Sequence, residues 1–417
     1  MKMKRVFTIL LVLIMITMFG ACSGGGSNTA TPTKAPSSGG STTTTEAPKK
    51  TGVLTMGTIQ DLSGSASVSG IAAKMGSEIA IEEINKAGGV VVGDTTYTVE
   101  LKAYDCRSDP NEAISALKRL VLVDNAVIAL GPPISGVGLA AAPYTTELEI
   151  PFLGQFANPA CMLGDKRDTL NPYMFLMQPS SDMSGITAGV YMTETFGYKS
   201  VSFLIAQDQA NNVAQANAFI QYCEDNGIEI KTIEYNKLAD LDMRTQLTKI
   251  KESNPDFIFC VNSTQPLAII MNQKYQLGID LPITGSLDFS QPFADLVSTP
   301  AAASNVYFPS NVDYDDPEYV ELSEKCMAKF GQEGTVKTAL GYDQVLIAVA
   351  AIQKAGSLDR VAVRDALETI SGVDTVITDN FSIDPKTHMP LGLEVCIYSI
   401  DNAVYKMEEW FVPDMFK

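Results

Sequence analysis

Histidine is almost absent from this chain, which has one, His388, in 417 residues. A Ser-His-Asp triad would need that residue, and no Gly-x-Ser-x-Gly motif accompanies it. Because His388 falls in the turn-like stretch 384–390, we interpret it as a surface residue. We therefore expect no catalytic residues and no enzymatic activity, and an anchored hydrolase is the disfavoured alternative.

Cysteine pairs of the metal-binding or redox type are also missing. No Cys-x-x-Cys motif occurs, so thiolate metal sites and redox motifs have no support. In an exported protein the cysteines after Cys22 could form disulfides, but several fall in apolar patterns, and buried thiols are an equal alternative. The acidic cluster at 313–318 lacks the Asp-x-Asp-x-Asp-Gly loop of calcium sites, so we expect neither a metal nor a cofactor.

Positive charge is scarce, with 30 Lys and Arg against 48 Asp and Glu and a net charge of −18. A surface of this charge repels phosphate backbones, so nucleic acid is not an expected partner. The composition is otherwise that of a globular protein, with 46% hydrophobic residues. The chain from residue 51 onward is long enough for two or three ordinary domains.

The first residues lack the length of a permanent membrane span. The apolar run at 6–19 has about 14 residues, against roughly 20 for a helix that crosses a bilayer, and it follows basic residues as in a signal peptide. The four residues ending at Cys22 resemble a bacterial lipobox. We expect a lipoprotein signal peptide at 1–21 and lipidation of Cys22. An ordinary secreted protein cleaved nearby is the alternative.

Large apolar side chains are missing from residues 22–50, which are mostly Ser, Thr, Gly, Ala and Pro. Such a segment cannot offset its ordering entropy, so we expect a disordered tether with a root-mean-square span of about 30 Å. Two acyl chains on Cys22 would hold the protein durably on a membrane. We expect an extracytoplasmic protein anchored to the cell membrane, and the long tether favours a Gram-positive bacterium.

Beyond residue 51, predicted strands and helices alternate. A strand at 53–59 precedes a helix at 70–86, and Asp109 caps a helix over Pro110–Leu122. A second series of the same kind begins after Pro179. This alternation is typical of parallel sheets covered by helices on both faces. Because ligands of open α/β sheets bind beyond the carboxyl ends of the strands, we expect a ligand cleft between two lobes.

The most specific motif is residues 78–89, EIAIEEINKAGG, on the first predicted helix. Residues 61–64, DLSG, precede it, and further motifs follow in order: Tyr104-Asp105, Asp109-Pro110, 131–138, 151–159 and Tyr342-Asp343. This ordered set resembles leucine/isoleucine/valine-binding proteins of the type I periplasmic solute-binding family. The similarity extends over residues 51–417.

The resemblance implies an α/β fold, the type I periplasmic-binding-protein fold. Its two doubly wound parallel-sheet lobes are joined by three crossing strands that act as a hinge. By the same resemblance, the crossings lie near 175–178, 306–309 and 381–384. Lobe I then comprises 51–176 plus 309–382, and lobe II comprises 177–308 plus 383–417.

In relatives that bind aliphatic amino acids, two loops of lobe I hold the ligand's α-carboxylate. Ser135 matches the serine of the first loop, with a helix-capping role as the alternative. In the second loop, Ala157 or Asn158 stands where the family often has Thr, so the hydroxyl is missing. Phe156 is either a wall of the pocket or a core residue. A hydroxyl beside backbone N–H groups at a helix start suits an anion.

The matching loops of lobe II lack aromatic residues. Residues 206–212 contain none, and Asn262 with its two followers replaces a tyrosine-bearing loop. Asp288 matches the position where relatives place a carboxylate against the ligand's ammonium, with capping of the following turn as the alternative. The predicted pocket is therefore more polar than a leucine site.

The resemblance thus implies a solute-binding protein that captures an amino acid, an amide or a related small polar molecule for an ABC permease. Ligand-induced closure of the lobes would select the form that docks. A ligand-sensing module that signals to a membrane receptor without transport is the alternative. Because the family's threonine and tyrosines are missing, urea, short amides and other amino acids all stay open.

Overall fold

Two β-sheets organise the part of the chain that the computed structural model describes, residues 50–413 without 392 and 394. The predicted signal peptide, Cys22 and the tether up to residue 49 lie outside the described residues. The first sheet has the order β2-β3-β1-β4-β5-β6, and all neighbours are parallel except β2 and β3. Its strands are β1 (Lys50–Gln60), β2 (Val90–Val92), β3 (Thr95–Asp105), β4 (Ile128–Leu130), β5 (Phe152–Gly154) and β6 (Met174–Leu176).

The second sheet has the order β13-β12-β11-β10-β9-β7-β8. It is parallel from β8 to β11, and a hairpin of β12 and β13 adds two antiparallel strands at one edge. Its strands are β7 (Ser200–Ala206), β8 (Glu229–Asn236), β9 (Phe257–Val261), β10 (Ile283–Gly285), β11 (Val306–Ser310), β12 (Val395–Asp401) and β13 (Val404–Phe411).

Helices cover both faces of each sheet, and four clusters of buried apolar side chains lie between helices and strands. This confirms the predicted α/β fold with two doubly wound sheets. The helices are α1 (Ser67–Lys86), α2 (Pro110–Leu122), α3 (Ser135–Glu147), α4 (Ala160–Leu163), α5 (Ser181–Thr195), α6 (Ala210–Asn226), α7 (Arg244–Ser253), α8 (Thr264–Gln276), α9 (Pro317–Phe330), α10 (Val336–Ala355) and α11 (Arg360–Glu368).

Helices α5 to α8 pack on the second sheet, whereas α9 and α10 return to the first sheet, where they pack against α1. The chain therefore passes between the sheets after β6, after β11 and again between α11 and β12. The lobe boundaries given above stay a prediction. Asp109 caps α2 as predicted, because its carboxylate accepts hydrogen bonds from the N–H groups of Asn111 and Glu112 at 2.7 and 3.1 Å.

Helices α1 and α10 cross at very short range because glycines lie at the contact. A Cβ on Gly76 would lie 1.9 Å from the carbonyl oxygen of Thr338, and one on Gly341 would lie 1.9 Å from that of Ala73. The Ser77 hydroxyl donates a hydrogen bond to the Gly341 carbonyl at 2.9 Å. These contacts fix the first turns of α10 against α1.

His388 is not the surface residue that the sequence predicted. Its side chain is fully buried and stacks on Phe175 with ring centroids 4.2 Å apart. Its Nδ1 lies 3.0 Å from the carbonyl oxygen of Met174, and burial lowers the pKa of the imidazole. The turn-like sequence around it does form a turn, but that turn packs against the end of β6, so the imidazole is in the core.

The cysteine alternatives are resolved in favour of thiols. Cys106, Cys161, Cys223, Cys260 and Cys326 are buried and form no disulfide, and Cys396 is buried as well. Burial raises the pKa of the Cys106, Cys223 and Cys260 thiols to about 12. In the described region, no helix combines the length and the apolar character needed to cross a membrane.

Candidate ligand-binding site

The carboxyl ends of the strands of both sheets face one cleft with a volume of about 100 Å³. Loops and helix starts after β1, β4, β5 and β6 line it from the first sheet, and those after β7, β9, β10 and β11 line it from the second. Binding at this edge is the general rule for open α/β sheets. The volume is below that of pockets for drug-sized ligands, so a small metabolite fits the cleft better than a peptide.

Ser135 lies where two first-sheet loops meet in the cleft. It is the first residue of α3, and no side chain caps this helix, so the capping alternative does not apply. The Ser135 hydroxyl oxygen accepts hydrogen bonds from the backbone N–H groups of Ala157 and Asn158, each at 3.3 Å. The hydroxyl is therefore positioned, and its proton remains available to a ligand.

Of the three other residues predicted in the loops of the first sheet, one lines the cleft and two do not. Ala157 lines the cleft. Phe156 does not line it, because its ring is fully buried, lies edge-on to Phe152 at 6.2 Å and fills the space left by two glycines. Phe156 is therefore a core residue.

Asn158 does not line the cleft either, but it connects its two sides. Its side chain is 8% exposed. The Nδ2 amide donates to the carbonyl of Ala210 at 3.4 Å, at the start of α6, and Oδ1 accepts from the Ala160 N–H at 2.9 Å. Its position suits a contact between the two lobes.

Asn262 is also placed behind the cleft surface. Its side chain is fully buried and exchanges hydrogen bonds with the side-chain amide of Asn236 at 2.9 and 3.2 Å. The next residues, Ser263 and Thr264, line the cleft instead. The predicted loop is therefore at the site, but its asparagine supports the loop from beneath.

Asp288 lines the cleft from the second sheet. The turn that follows β10 is capped by Ser286, whose hydroxyl accepts from the Asp288 N–H at 3.3 Å, so capping is not the role of Asp288. The Asp288 carboxylate accepts a hydrogen bond from the same hydroxyl at 3.1 Å. This contact holds the carboxylate in place at the surface of the cleft.

Sequence reasoning missed Lys337, the second residue of α10 and the other charged side chain that lines the cleft. Among the described residues it forms no ion pair or hydrogen bond through its ammonium. Burial lowers the pKa of this ammonium, while the negative charge of Asp288 acts in the opposite direction. The sequence carries a signal for it, since a cation in the first turn of a helix opposes the helix dipole.

Helix α6 supplies buried amide groups that have no partner. Asn212 and Gln215 line the cleft and are 4% and 3% exposed, yet Nδ2 of the first and Oε1 of the second form no hydrogen bond within the described region. Leaving such a group unpaired costs about 1–3 kcal/mol. Polar atoms of a ligand in the cleft would remove that cost.

Comparison with known proteins agrees with this architecture. The sequence pattern of the periplasmic binding protein family matches residues 53–398. The Leu/Ile/Val-binding protein BraC3 of Rhizobium johnstonii is 24% identical over 332 residues, which cover 79% of this chain and 88% of the relative.

Among solved structures, the branched-chain amino acid transporter substrate-binding protein LivJ of Streptococcus pneumoniae, in complex with isoleucine, aligns with a TM-score of 0.78 and 24% identity. That alignment covers 87% of this chain and all of LivJ. A solute-binding protein from Rhodopseudomonas palustris, in complex with 3,4-dihydroxybenzoic acid, has a TM-score of 0.74 and 21% identity, over 86% of this chain and 97% of that one. With the family pattern extending over both sheets, the chain belongs to the periplasmic binding protein family.

Proposed function

We propose that this protein is a lipid-anchored extracytoplasmic solute-binding protein that captures an amino acid or a similar small polar molecule and delivers it to an ABC permease. The observation that carries the proposal is the cleft between the carboxyl ends of both sheets, which presents hydroxyls, amides and one charge of each sign. The names of the relatives, which describe amino acid binding and transport, support it.

An α-amino acid fits the cleft through its two charged groups. Its carboxylate would accept hydrogen bonds from the Ser135 hydroxyl and from the N–H groups of the first turn of α3, which no side chain caps. Its ammonium would pair with the Asp288 carboxylate. Ser135 follows β4 of the first sheet and Asp288 follows β10 of the second. One ligand bound to both residues would therefore contact both lobes and stabilise the closed form.

The remaining lining favours polar ligands over branched-chain amino acids. Among the described residues that line the cleft none is aromatic, and most are serine, threonine, asparagine or glutamine. Ala157 leaves the position of the expected threonine without a hydroxyl. A leucine side chain would therefore face amides that it cannot satisfy, whereas a polar side chain could pair with them.

Thermal unfolding with a panel of amino acids, amides and small organic acids tests the proposal. A ligand at about 100 times its Kd adds about 2.7 kcal/mol of stability, which raises the melting temperature measurably. Ser135→Ala and Asp288→Asn should each weaken the binding of any ligand found. If no compound raises the melting temperature, the proposal of a small-molecule binder fails.

The anchor needs a separate experiment. Cys22→Ser removes the thiol that would carry the lipid and should move the protein from the membrane fraction to the soluble fraction, because the acyl chains supply the membrane affinity. Ser23→Ala, one residue further along the predicted tether, is the matched control and should leave the protein on the membrane. Equal distribution of both variants and the parent protein would contradict lipidation.

A further inference from the structure

We infer that the ligand is an amino acid whose side chain ends in a carboxylate, and that Lys337 binds this second anionic group. The inference rests on the proposed function and adds the substrate class to it. In the proposed mode of binding, Ser135 and Asp288 already match the two charged groups of a simple zwitterion. Lys337 then adds a positive charge to the cleft that such a ligand does not need.

The electrostatics of the cleft favour a ligand with a net negative charge. Asp288 and Lys337 are the two charged side chains among its lining residues, and their formal charges cancel. The helices α3, α6 and α8 begin at the cleft without a side-chain cap, and each helix start contributes roughly half a positive charge. After a zwitterion has filled the carboxylate and ammonium positions, Lys337 and two helix starts remain uncompensated.

The position of Lys337 is unfavourable for the fold alone. It is the second residue of α10, where a cation opposes the helix dipole and an acidic residue would be stabilising. It is partly buried, and burial lowers the pKa of its ammonium. A residue that opposes its helix dipole and forms no ion pair or hydrogen bond within the described residues is expected at a functional site.

Buried amides next to the cleft provide the second observation. Asn212 and Gln215 are more than nine-tenths buried and line the cleft with unpaired polar atoms. Asn212 Nδ2 can donate to a carboxylate oxygen, and Gln215 Oε1 can accept from an ammonium. A side-chain carboxylate therefore also has a neutral donor available in the cleft, whereas an aliphatic side chain would leave Asn212 Nδ2 and the Lys337 ammonium without a partner.

Isothermal titration of the full chain, kept in solution by Cys22→Ser, tests the inference with glutamate, aspartate, glutamine and leucine. Glutamate or aspartate should bind about 10- to 100-fold more tightly than glutamine, which has the same shape as glutamate without the charge. Lys337→Gln should remove this preference. Lys166→Gln, at an exposed site, is the control and should change nothing.

Lys337→Glu separates recognition from folding. An acidic residue in the first turn of α10 suits the helix dipole, which offsets its repulsion of Asp288, so the melting temperature without ligand should change little, yet binding of acidic amino acids should be lost. If glutamine or leucine binds as tightly as glutamate and Lys337→Gln changes none of the affinities, the inference is overturned while the proposed function stands. If no amino acid of any kind binds the parent protein, the proposed function itself fails.

Discussion

Replacing Gly76 by Ala tests whether the close crossing of α1 and α10 holds one wall of the cleft. The added Cβ would lie 1.9 Å from the Thr338 carbonyl oxygen. An ordinary contact needs about 3.5 Å, so the helices would have to separate by about 1.5 Å. The obstacle is backbone on a long helix, which cannot rotate away as a side chain can.

The magnitude follows from two opposing effects. Overpacking costs about 1–3 kcal/mol, and a backbone obstacle places Gly76→Ala near 3 kcal/mol. Alanine is favoured over glycine within a helix by about 1 kcal/mol. We therefore expect a net destabilisation of about 2 kcal/mol. Ligand affinity should also fall, because Thr338 adjoins Lys337 and the shift of α10 moves that ammonium.

Thermal and urea unfolding measured by circular dichroism checks the stability, and titration calorimetry checks the affinity. Gly136→Ala in α3 is the matched control for stability alone, because a Cβ there meets no atom within 4 Å but the residue lies in the turn that would bind the ligand. It should be neutral or stabilising by up to about 1 kcal/mol. If Gly76→Ala changes the free energy of unfolding no more than Gly136→Ala does, the crossing tolerates a larger separation and the reasoning is refuted.

Three further substitutions address buried residues. Phe156→Ala should lower the free energy of unfolding by about 3–5 kcal/mol while the folded fraction keeps its ligand affinity, and a large loss of affinity in well-folded protein would instead restore Phe156 to the site. Lys274 is 4% exposed, and burial lowers its pKa from 10.5 to about 8. Lys274→Met should therefore stabilise the protein by about 3 kcal/mol at pH 7. The advantage should shrink as pH rises from 8 to 10.5, where the folded parent has lost the proton that its unfolded chain still binds. Unfolding measured across this pH range checks the trend, with Lys166→Met at an exposed position as the control variant. Asn262→Leu removes the donor to the buried side-chain oxygen of Asn236 and should lower the free energy of unfolding by about 1–3 kcal/mol. Adding Asn236→Leu should recover part of that loss, which a double-mutant cycle would detect.

The fold was predictable because its signals are local and repeat along the chain. Asp109 before Pro110 supplies a cap and a permitted proline, and α2 begins and ends at the predicted residues. Apolar periodicity placed α1 at 70–86, and the helix begins at Ser67. The hairpin of β12 and β13 was missed, because β12 is buried at five of its seven residues, β13 has no buried residue, and no helix pattern adjoins either strand.

For the candidate site, the sequence predicted which loops meet in the cleft, but only partly which of their residues line it. The loops that carry Ser135, Ala157 and Asp288 meet in the cleft, since parallel strands bring their carboxyl ends to one edge. Phe156, next to Ala157, and Asn262, in the loop after β9, are fully buried and do not line the cleft. Which way one side chain points within a loop depends on packing beneath it, such as the glycines around Phe156, and sequence spacing does not encode that.

Lys337 and His388 also lie where the sequence around them does not predict, because long-range packing moves one into the cleft and the other into the core. The histidine lies in a sequence typical of an exposed turn, but tertiary packing places it against Phe175 in the core. The lysine starts an apolar helix, where a core or surface role would be usual, but the crossing of α1 and α10 directs the start of that helix into the cleft. In both cases the decisive contact is with a segment more than two hundred residues away in sequence. A residue that opposes its own helix dipole can still be recognised from the sequence, because the unfavourable charge at the helix start is visible before any long-range contact is known.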